Sequence, residues 1–464
     1  MQEVLADSAA PQIEIMSLPF LQRVTSYGWV RDCIRIAAGA KRNELEQPLS
    51  QSRKPLALGA LLVLAVAIAA NGTTARLSVK SEVDGDGPFY VGIARNLAAG
   101  RGYMLSYFGV DKPTMGRAPV WPAMLSVPAW FAPGVDDSTL IRVTAACLNV
   151  ANALLLFGIA WMLSRNHRIS TAAGVGYALY PVALAITAGG FSEVPYVFVA
   201  ALGTLLILRG GWALYPGALI LGLSALVRSN FILLPVMAGL AALFMFGIRR
   251  APWRFVAAAA LFWLPAGLWI VRNYALSGEF PILSTIEGET LYGANNDYVN
   301  SNLAVWGYWV FPNQIPGETA KRDLAATMTE RQVDRYYHRK AITFLKQNWF
   351  GLPRLELGKL IRGFVPVPWV PKWGSYCVFL FRAALYVAIL LNLRTLRSME
   401  PVFRILVTGM FLVVLATSLI YYGTYRFTFC VEVFLLPVVV IGIFRQVETW
   451  GKAVLGSVPA VAEQ

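Results

Sequence analysis

The chain has 464 residues, 57% of them hydrophobic and only 14% charged, with a mean hydropathy of +0.55. Soluble domains carry about 25% charge, so this composition excludes an ordinary soluble protein and describes a polytopic membrane protein. The formal net charge of +14 does not point to nucleic acid, because many Lys and Arg residues stand in short segments between apolar runs, where membrane topology accounts for them. The cysteines, Cys33, Cys147, Cys377 and Cys430, form no CxxC, and the only histidines are His167 and His338. Neither a disulfide framework nor a zinc site is suggested, and a His-based metal cluster is excluded on that count.

In chain order, residues 1–54 read as a cytoplasmic N-terminal segment with no secretory signal, since the first long apolar run begins near Leu56, after Arg53-Lys54. Within residues 12–40, Ile13, Leu18, Phe20, Leu21, Val24, Trp29, Val30 and Ile34 suit either an interfacial helix or an unstructured leader. About ten stretches (range nine to twelve) then approach the roughly 20 apolar residues that cross a bilayer. They lie near 56–75, 138–163, 169–187, 191–208, 212–227, 230–248, 254–272, 376–393, 402–422 and 427–445. With the N-terminus inside, the inner loops hold Arg165, Arg168, Arg209, Arg249, Arg250, Arg254, Arg394, Arg397 and Arg404, as the positive-inside rule asks. The expected architecture is an all-α bundle with two structured extracytoplasmic loops. Residues 55–272 form a seven-helix module containing the first outer loop, 76–137; residues 273–375 form the large outer loop; residues 376–464 form the last helices and a short cytoplasmic tail.

Both outer loops are patterned. Pro88 opens a helix and Gly100 closes it, and Phe89, Ile93 and Leu97 recur on one face, which suits a helix lying on the bilayer. Ala118 to Phe131 is apolar but too short and Pro-interrupted to span. In the large loop, Val333, Tyr337, Ala341, Phe344, Leu345 and Asn348 share one side of a predicted helix, with Arg331, Arg335, Arg339 and Lys340 around the rest.

Chemistry-bearing residues concentrate at the outer ends of the spans. Asp84 and Asp86 follow the first span. Asp86 sits where it can cap the next helix, take a proton from an acceptor, or bind a divalent cation through oxygen. Glu193 opens the fourth span and either faces the bundle or a wet cavity or stands exposed at the helix start, stabilised by the helix dipole. Arg228, Arg272 and Arg426 stand on the outer side, against the charge bias that orients everything else. A guanidinium there can bind a lipid phosphate, snorkel to the interface, or pair with Glu193 or Glu432. No GxxxxGK[ST] and no strand-preceded GxGxxG occurs, so nucleotide-driven chemistry has no support.

These pieces resemble the GT-C class of integral-membrane glycosyltransferases, the group of the dolichyl-phosphate-mannose:protein mannosyltransferases and the bacterial aminoarabinose and lipopolysaccharide-core sugar transferases. The matching segments are Asp86-x3-Tyr90-x3-Ala94-x2-Leu97-x2-Gly100, RAPVWPAML from Arg117, FSEVPYVF around Glu193, WIVRNYALSGEFPILST from Trp269 to Thr285, and YRFTFCVEVFLLP from Tyr425 to Pro437. The resemblance implies a sugar donor on a polyprenyl phosphate and an acceptor glycan, lipid or protein, with chemistry on the outer face of a bacterial inner membrane and no nucleic-acid partner. It assigns Asp86 as the catalytic acid of the first loop; Gly87 stands where the family often has a second acid, and whether Asp84 substitutes for it is open. Glu193 takes the place of the second-loop acid, and Arg272 that of the phosphate-facing arginine. Arg117, Tyr90, Arg228 and Arg426 join the substrate-binding set. Dependence on Mg or Mn is open, with Asp84, Asp86 and Glu193 as the ligands if a metal is used. The rival readings are an O-antigen ligase or polymerase, which would want more histidine in the large loop, and a transporter or flippase, which would want a polar path through residues such as Asn149 and Glu432.

Overall fold

The computed structural model of the chain describes residues 53–79, 83, 85–107, 110–246, 253–279, 283–319, 321–366 and 373–456. Residues 1–55 form one unit and residues 56–464 a second. The first enters the described residues only at Arg53, so the interfacial helix or leader considered for residues 12–40 lies outside them.

α1 (Arg53–Ser78) leads into a short helix α2 (Gly87–Ala98), an antiparallel hairpin of β1 (Met104–Tyr107) and β2 (Val110–Pro113), and a second short helix α3 (Val120–Phe131). Then come α4 (Asp137–Ser164), α5 (His167–Ala178), α6 (Pro181–Ala188), α7 (Glu193–Arg209), α8 (Leu214–Gly222), α9 (Leu234–Phe246) and α10 (Trp253–Ser277). The second loop region carries α11 (Glu287–Ala294), α12 (Asp297–Ser301), α13 (Lys321–Ala325), α14 (Glu330–Gln347) and α15 (Leu352–Phe364). The chain closes with α16 (Trp373–Leu391), α17 (Leu393–Arg397), α18 (Pro401–Ile420) and α19 (Tyr425–Gly456).

This is an all-α polytopic membrane protein. Every one of the ten apolar stretches is helical, but among the described residues six helices are long and apolar enough to cross a membrane, or seven if the bent pair α5–α6 counts as one span. The shortfall from ten has local causes. Pro181 holds Tyr180 extended, at φ −66° and ψ 113°, because its ring clashes with a helical preceding residue, and the pair bends by 43°. Helix α7 stops after 17 residues at Gly210, whose φ is +70°. The stretches at 212–227 and 230–248 are partly 3-10 helix, over Gly211–Ala213, Leu223–Leu226 and Ser229–Leu233, and 3-10 geometry propagates poorly.

Helix α19 is the central post, packed against α4, α5, α7, α15, α16 and α18. Helices α1, α10 and α16 lie at the periphery and present Leu61, Ile68, Leu264, Leu268, Leu380 and Phe381 outward. Such faces suit lipid, since apolar surface of that extent is rare on a monomer in water. Two polar networks are sealed inside. Asn149 Nδ2 donates to Asn71 Oδ1 at 2.8 Å, and Tyr177 donates to Asn149 Oδ1 at 2.5 Å. Asn71 Nδ2 is itself bonded to Ala67 O, so the Asn71-Gly72-Thr73 sequon has its nitrogen buried within α1. Glu432 accepts from Arg382 Nη2 at 3.0 Å, from Tyr386 at 2.5 Å and from Tyr180 at 2.7 Å. A buried ion pair with every partner in place is a fastener rather than a path.

The apolar face of α2 is covered in part by protein, with Phe89 still 36% exposed. Val91, Ile93 and Ala94 are fully buried, because α2 packs onto α3, α4 and β1. The hairpin supplies one of the surfaces that cover this face. Helix α14 buries Val333, Tyr337, Ala341 and Phe344 as its periodicity predicts, and its cations pair off, Arg335 with Glu279 at 2.7 Å and Lys340 with Glu318 at 2.6 Å.

The two loop regions meet at one end of the bundle. Thr285 N donates to Met115 O at 3.0 Å, and Glu330 joins Thr114 Oγ1 at 2.7 Å and Met115 N at 2.9 Å. Asn295 Nδ2 and Lys359 Nζ bond the carbonyls of Ile420 and Leu419, at 3.1 and 2.8 Å, at the end of α18. Burial, and then the nearby Asp334, push the Glu287 carboxyl up to about 7, against the pull of Arg331 and a hydrogen bond to Ser229. The folded state therefore binds this proton more tightly than the unfolded chain, whose Glu titrates near 4.5. Stability from this group is complete at acid pH and is lost as pH rises through 7. Thermal unfolding followed from about pH 5 to about pH 8 should show a falling Tm, and Glu287→Gln should flatten that slope.

Candidate active site

The N-terminus of α2 carries the first element of the site. Asp86 occupies the N-cap position, with φ −81° and ψ −15°, yet its side chain makes no capping bond. Its Oδ1 instead receives Arg117 Nη2 at 2.9 Å. Arg117 comes from the segment after the hairpin, and its guanidinium lies 4.6 Å from the centre of the Phe89 ring. The Asp86 side chain keeps 38% of its surface open, and cations from four separate segments act on it. Burial raises its pKa, but Arg117, Arg426, Arg228 and Lys321 outweigh that and hold it below the usual 3.8. One turn on, Tyr90 is buried and bonded to Ser192. Burial, and then the negative charge of Asp86, push its phenol up, so it stays protonated and available as a donor.

The second element is a buried triad. Glu193, at the start of α7, is fully buried. Its Oε1 meets Arg228 Nη1 at 2.5 Å and Arg426 Nε at 2.7 Å, and its Oε2 meets Arg426 Nη2 at 3.2 Å. Arg228 Nη1 also lies 3.3 Å from Ser192 Oγ. Arg426 lies 4.0 Å from the Phe191 ring centre and Arg228 5.1 Å from that of Phe427. A buried carboxylate persists only when paired in this way. Arg117, Arg228 and Arg426 set against Asp86 and Glu193 leave one net positive charge. Lys321, bonded to Glu289 at 2.5 Å, stands close enough to act on Asp86.

Arg272 belongs to a neighbouring network. Its Nη1 donates to Thr114 O at 2.7 Å and to Asn273 Oδ1 at 2.9 Å, and its Nη2 to Tyr103 O at 3.4 Å. The guanidinium lies 4.6 Å from the Trp269 ring centre. Tyr103 in turn donates to Arg117 O at 2.9 Å, so Arg272 braces the segment that delivers Arg117. The structure thus brings together Asp86, Tyr90, Arg117, Glu193, Arg228 and Arg426, and sets Arg272 one step away. Asp84 lies outside the described residues. Ser192, Lys321 and Tyr422 are additional members of the site that sequence reasoning missed. Of these, Tyr422 had a signal, the aromatic run beside Arg426.

Among the described residues, no three or more His, Cys, Asp or Glu side chains cluster as metal ligands. Both Glu193 oxygens carry guanidinium partners and Asp86 Oδ1 carries a third. A Mg or Mn ion bridging Asp86 and Glu193 does not fit this donor set, because arginines hold the positions a cation would take.

No family model and no curated protein matches the chain. Among solved structures it is similar to the crystal structure of ArnT from Cupriavidus metallidurans bound to undecaprenyl phosphate, at a TM-score of 0.40 and 15% identity, over 85% of this chain and 79% of that one. A likeness of this strength decides neither fold nor function; both rest on the helices and the side-chain geometry.

Proposed function

We propose that this protein is a membrane glycosyltransferase that moves a sugar from a polyprenyl-phosphate donor to an acceptor hydroxyl or amine, with inversion at the anomeric carbon. The observation that carries the proposal is the pairing of an open carboxylate, Asp86, with a three-arginine cluster at the loop end of the bundle. The donor phosphodiester is an anion, and one net positive charge awaits it. Guanidinium groups hold phosphate oxygens bidentately and stay charged.

In the reaction, the acceptor O–H or N–H gives its proton to Asp86 as its lone pair forms the bond to C1. The C1–O bond to phosphate breaks, and its electron pair leaves with the polyprenyl phosphate, which gains one negative charge. Fixed arginines stabilise that growing charge without reorganising. Arriving phosphate also competes with Asp86 for Arg117, which loosens the hold on the carboxylate and makes it a better base. A phosphate leaving group needs no strong general acid. This reading sets the loop end outside the cell membrane and residues 1–54 inside, as the arginine distribution asks. A transporter gains nothing from the structure, since Glu432 and Asn149 are sealed by partners.

Donor recognition is tested by binding purified protein in nanodiscs to undecaprenyl phosphate. Arg228→Gln leaves Glu193 paired with Arg426, and should weaken binding about tenfold or more, the loss of a charge-assisted bond. Binding as tight as that of the parent chain would contradict a phosphate site here.

A further inference from the structure

Beyond Arg228 the charged cluster gives way to a line of aromatic rings that the phosphate chemistry does not use. Phe427, under the Arg228 guanidinium, is followed by Tyr422 at 4.9 Å between ring centres. Tyr422 meets Tyr308 edge-on at 5.6 Å and Trp309 at 6.2 Å, and Trp309 meets Phe311 at 4.3 Å. Tyr422 is close enough to Asp86, Arg228 and Arg426 to feel all three charges. Exposure rises along the line, from 7% at Phe427 to 39% at Tyr308 and 42% at Phe311. The rings therefore lead from the reacting groups to open surface on the loop end.

Backbone contacts hold this line in place. Gly307 has φ +72°, and a Cβ there would meet the Gly358 carbonyl carbon at 2.2 Å, so only glycine lets this turn dock on α15. Its carbonyl accepts Gly423 N at 3.0 Å, which ties the 307–311 segment to the Tyr422 turn. Gly293 leaves the space that the Trp309 indole fills, since a Cβ would come within 2.4 Å of its Nε1. Arg362 stacks 5.4 Å from the Tyr308 ring centre and bonds the carbonyls of Trp306 and Ala304. Rings fixed in advance lose little freedom on meeting a ligand.

We propose that this aromatic line is the acceptor subsite, and that the acceptor is a glycan presenting pyranose rings. The inference rests on the glycosyltransferase reading. A pyranose offers a flat face of C–H bonds and a rim of hydroxyls. Phe311 and Trp309 supply apolar faces, while Tyr308 and Tyr422 supply faces with hydroxyls at the edge, the mixture of apolar lining and a few polar groups that orients a small ligand. A prenyl chain is a poor match, because it needs unbroken apolar wall along the spanning helices, and of these rings only Phe427 stands on a spanning helix.

Saturation-transfer NMR on the full chain in detergent tests this, with chitotriose, maltotriose and mannotriose as probes. Transfer to pyranose C–H protons is expected from the parent chain. Phe311→Ala and Tyr308→Ala, both at exposed positions, should weaken it about fivefold or more while binding undecaprenyl phosphate unchanged. No transfer to any saccharide from a chain that binds undecaprenyl phosphate overturns the acceptor inference and leaves the donor reading standing. Equal transfer to the ring variants also overturns it. Weaker undecaprenyl phosphate binding by Phe311→Ala overturns it as well, by assigning the rings to the donor. A chain that binds neither ligand loses both proposals.

Discussion

Asp86→Asn should lower kcat about 10²–10⁴-fold and leave binding of undecaprenyl phosphate intact. The amide fills the same space and keeps an oxygen for Arg117 Nη2, now at 2.9 Å, so the site and the α2 N-terminus should survive. What it cannot do is accept the proton of the attacking group. The reading of Asp86 as a mere helix cap predicts a different result, a small loss of stability with normal turnover, and the structure already weakens that reading because the side chain makes no capping bond. The pH profile is a second check. After burial has raised the Asp86 pKa, the four neighbouring cations pull it below 3.8. Asp86 is therefore ionised from mildly acid to alkaline pH, and kcat/KM should show no acid limb from this group above about pH 4.

Arg382→Met should destabilise the protein by about 3–5 kcal/mol, the cost of leaving a buried partner charge uncompensated. Arg382 and Glu432 lie on α16 and α19 and are almost wholly buried. Arg382 Nη2 also bonds Gly363 O at 2.9 Å, so the pair fastens the end of α15 to the bundle. Glu432→Gln should cost a comparable amount, since it leaves the buried Arg382 guanidinium without its counter-charge. Arg382→Met combined with Glu432→Leu should recover much of the loss, because removing both charges removes the desolvation penalty as well. Thermal unfolding in detergent measures all three. An Arg382→Met chain as stable as the parent would mean that the pair is solvated and not a fastener.

The architecture was legible because apolar length is a strong signal, and each of the ten apolar stretches is helical. The breaks inside them were not, since the bend at Tyr180 and the 3-10 turns depend on local backbone choices that hydropathy does not register. The site was half legible. An acid after the first span and arginines on the wrong side of the charge bias marked Asp86, Arg228, Arg272 and Arg426. Which of them converge was hidden, because Arg426 and Glu193 meet across 233 residues. Arg272 carries the same sequence signature as Arg228, yet its guanidinium serves the carbonyls of Thr114 and Tyr103. A charged residue at a span end looks alike whether it faces a ligand or a backbone. The amphipathic pattern of α2 was equally ambiguous, for a face that suits a bilayer also suits α3 and α4. The aromatic line escaped notice because its rings come from two segments, 308–311 and 422–427, that lie more than a hundred residues apart.

The most direct test of the central claim is single-turnover release of polyprenyl phosphate from a panel of undecaprenyl-phosphate sugars by the purified chain in nanodiscs, with Asp86→Asn alongside and a mixed glycan acceptor pool present. Release from at least one donor by the parent chain, lost in Asp86→Asn although that variant still binds undecaprenyl phosphate, is the expected result. Equal release by Asp86→Asn, or no release from any donor in the panel, would contradict it.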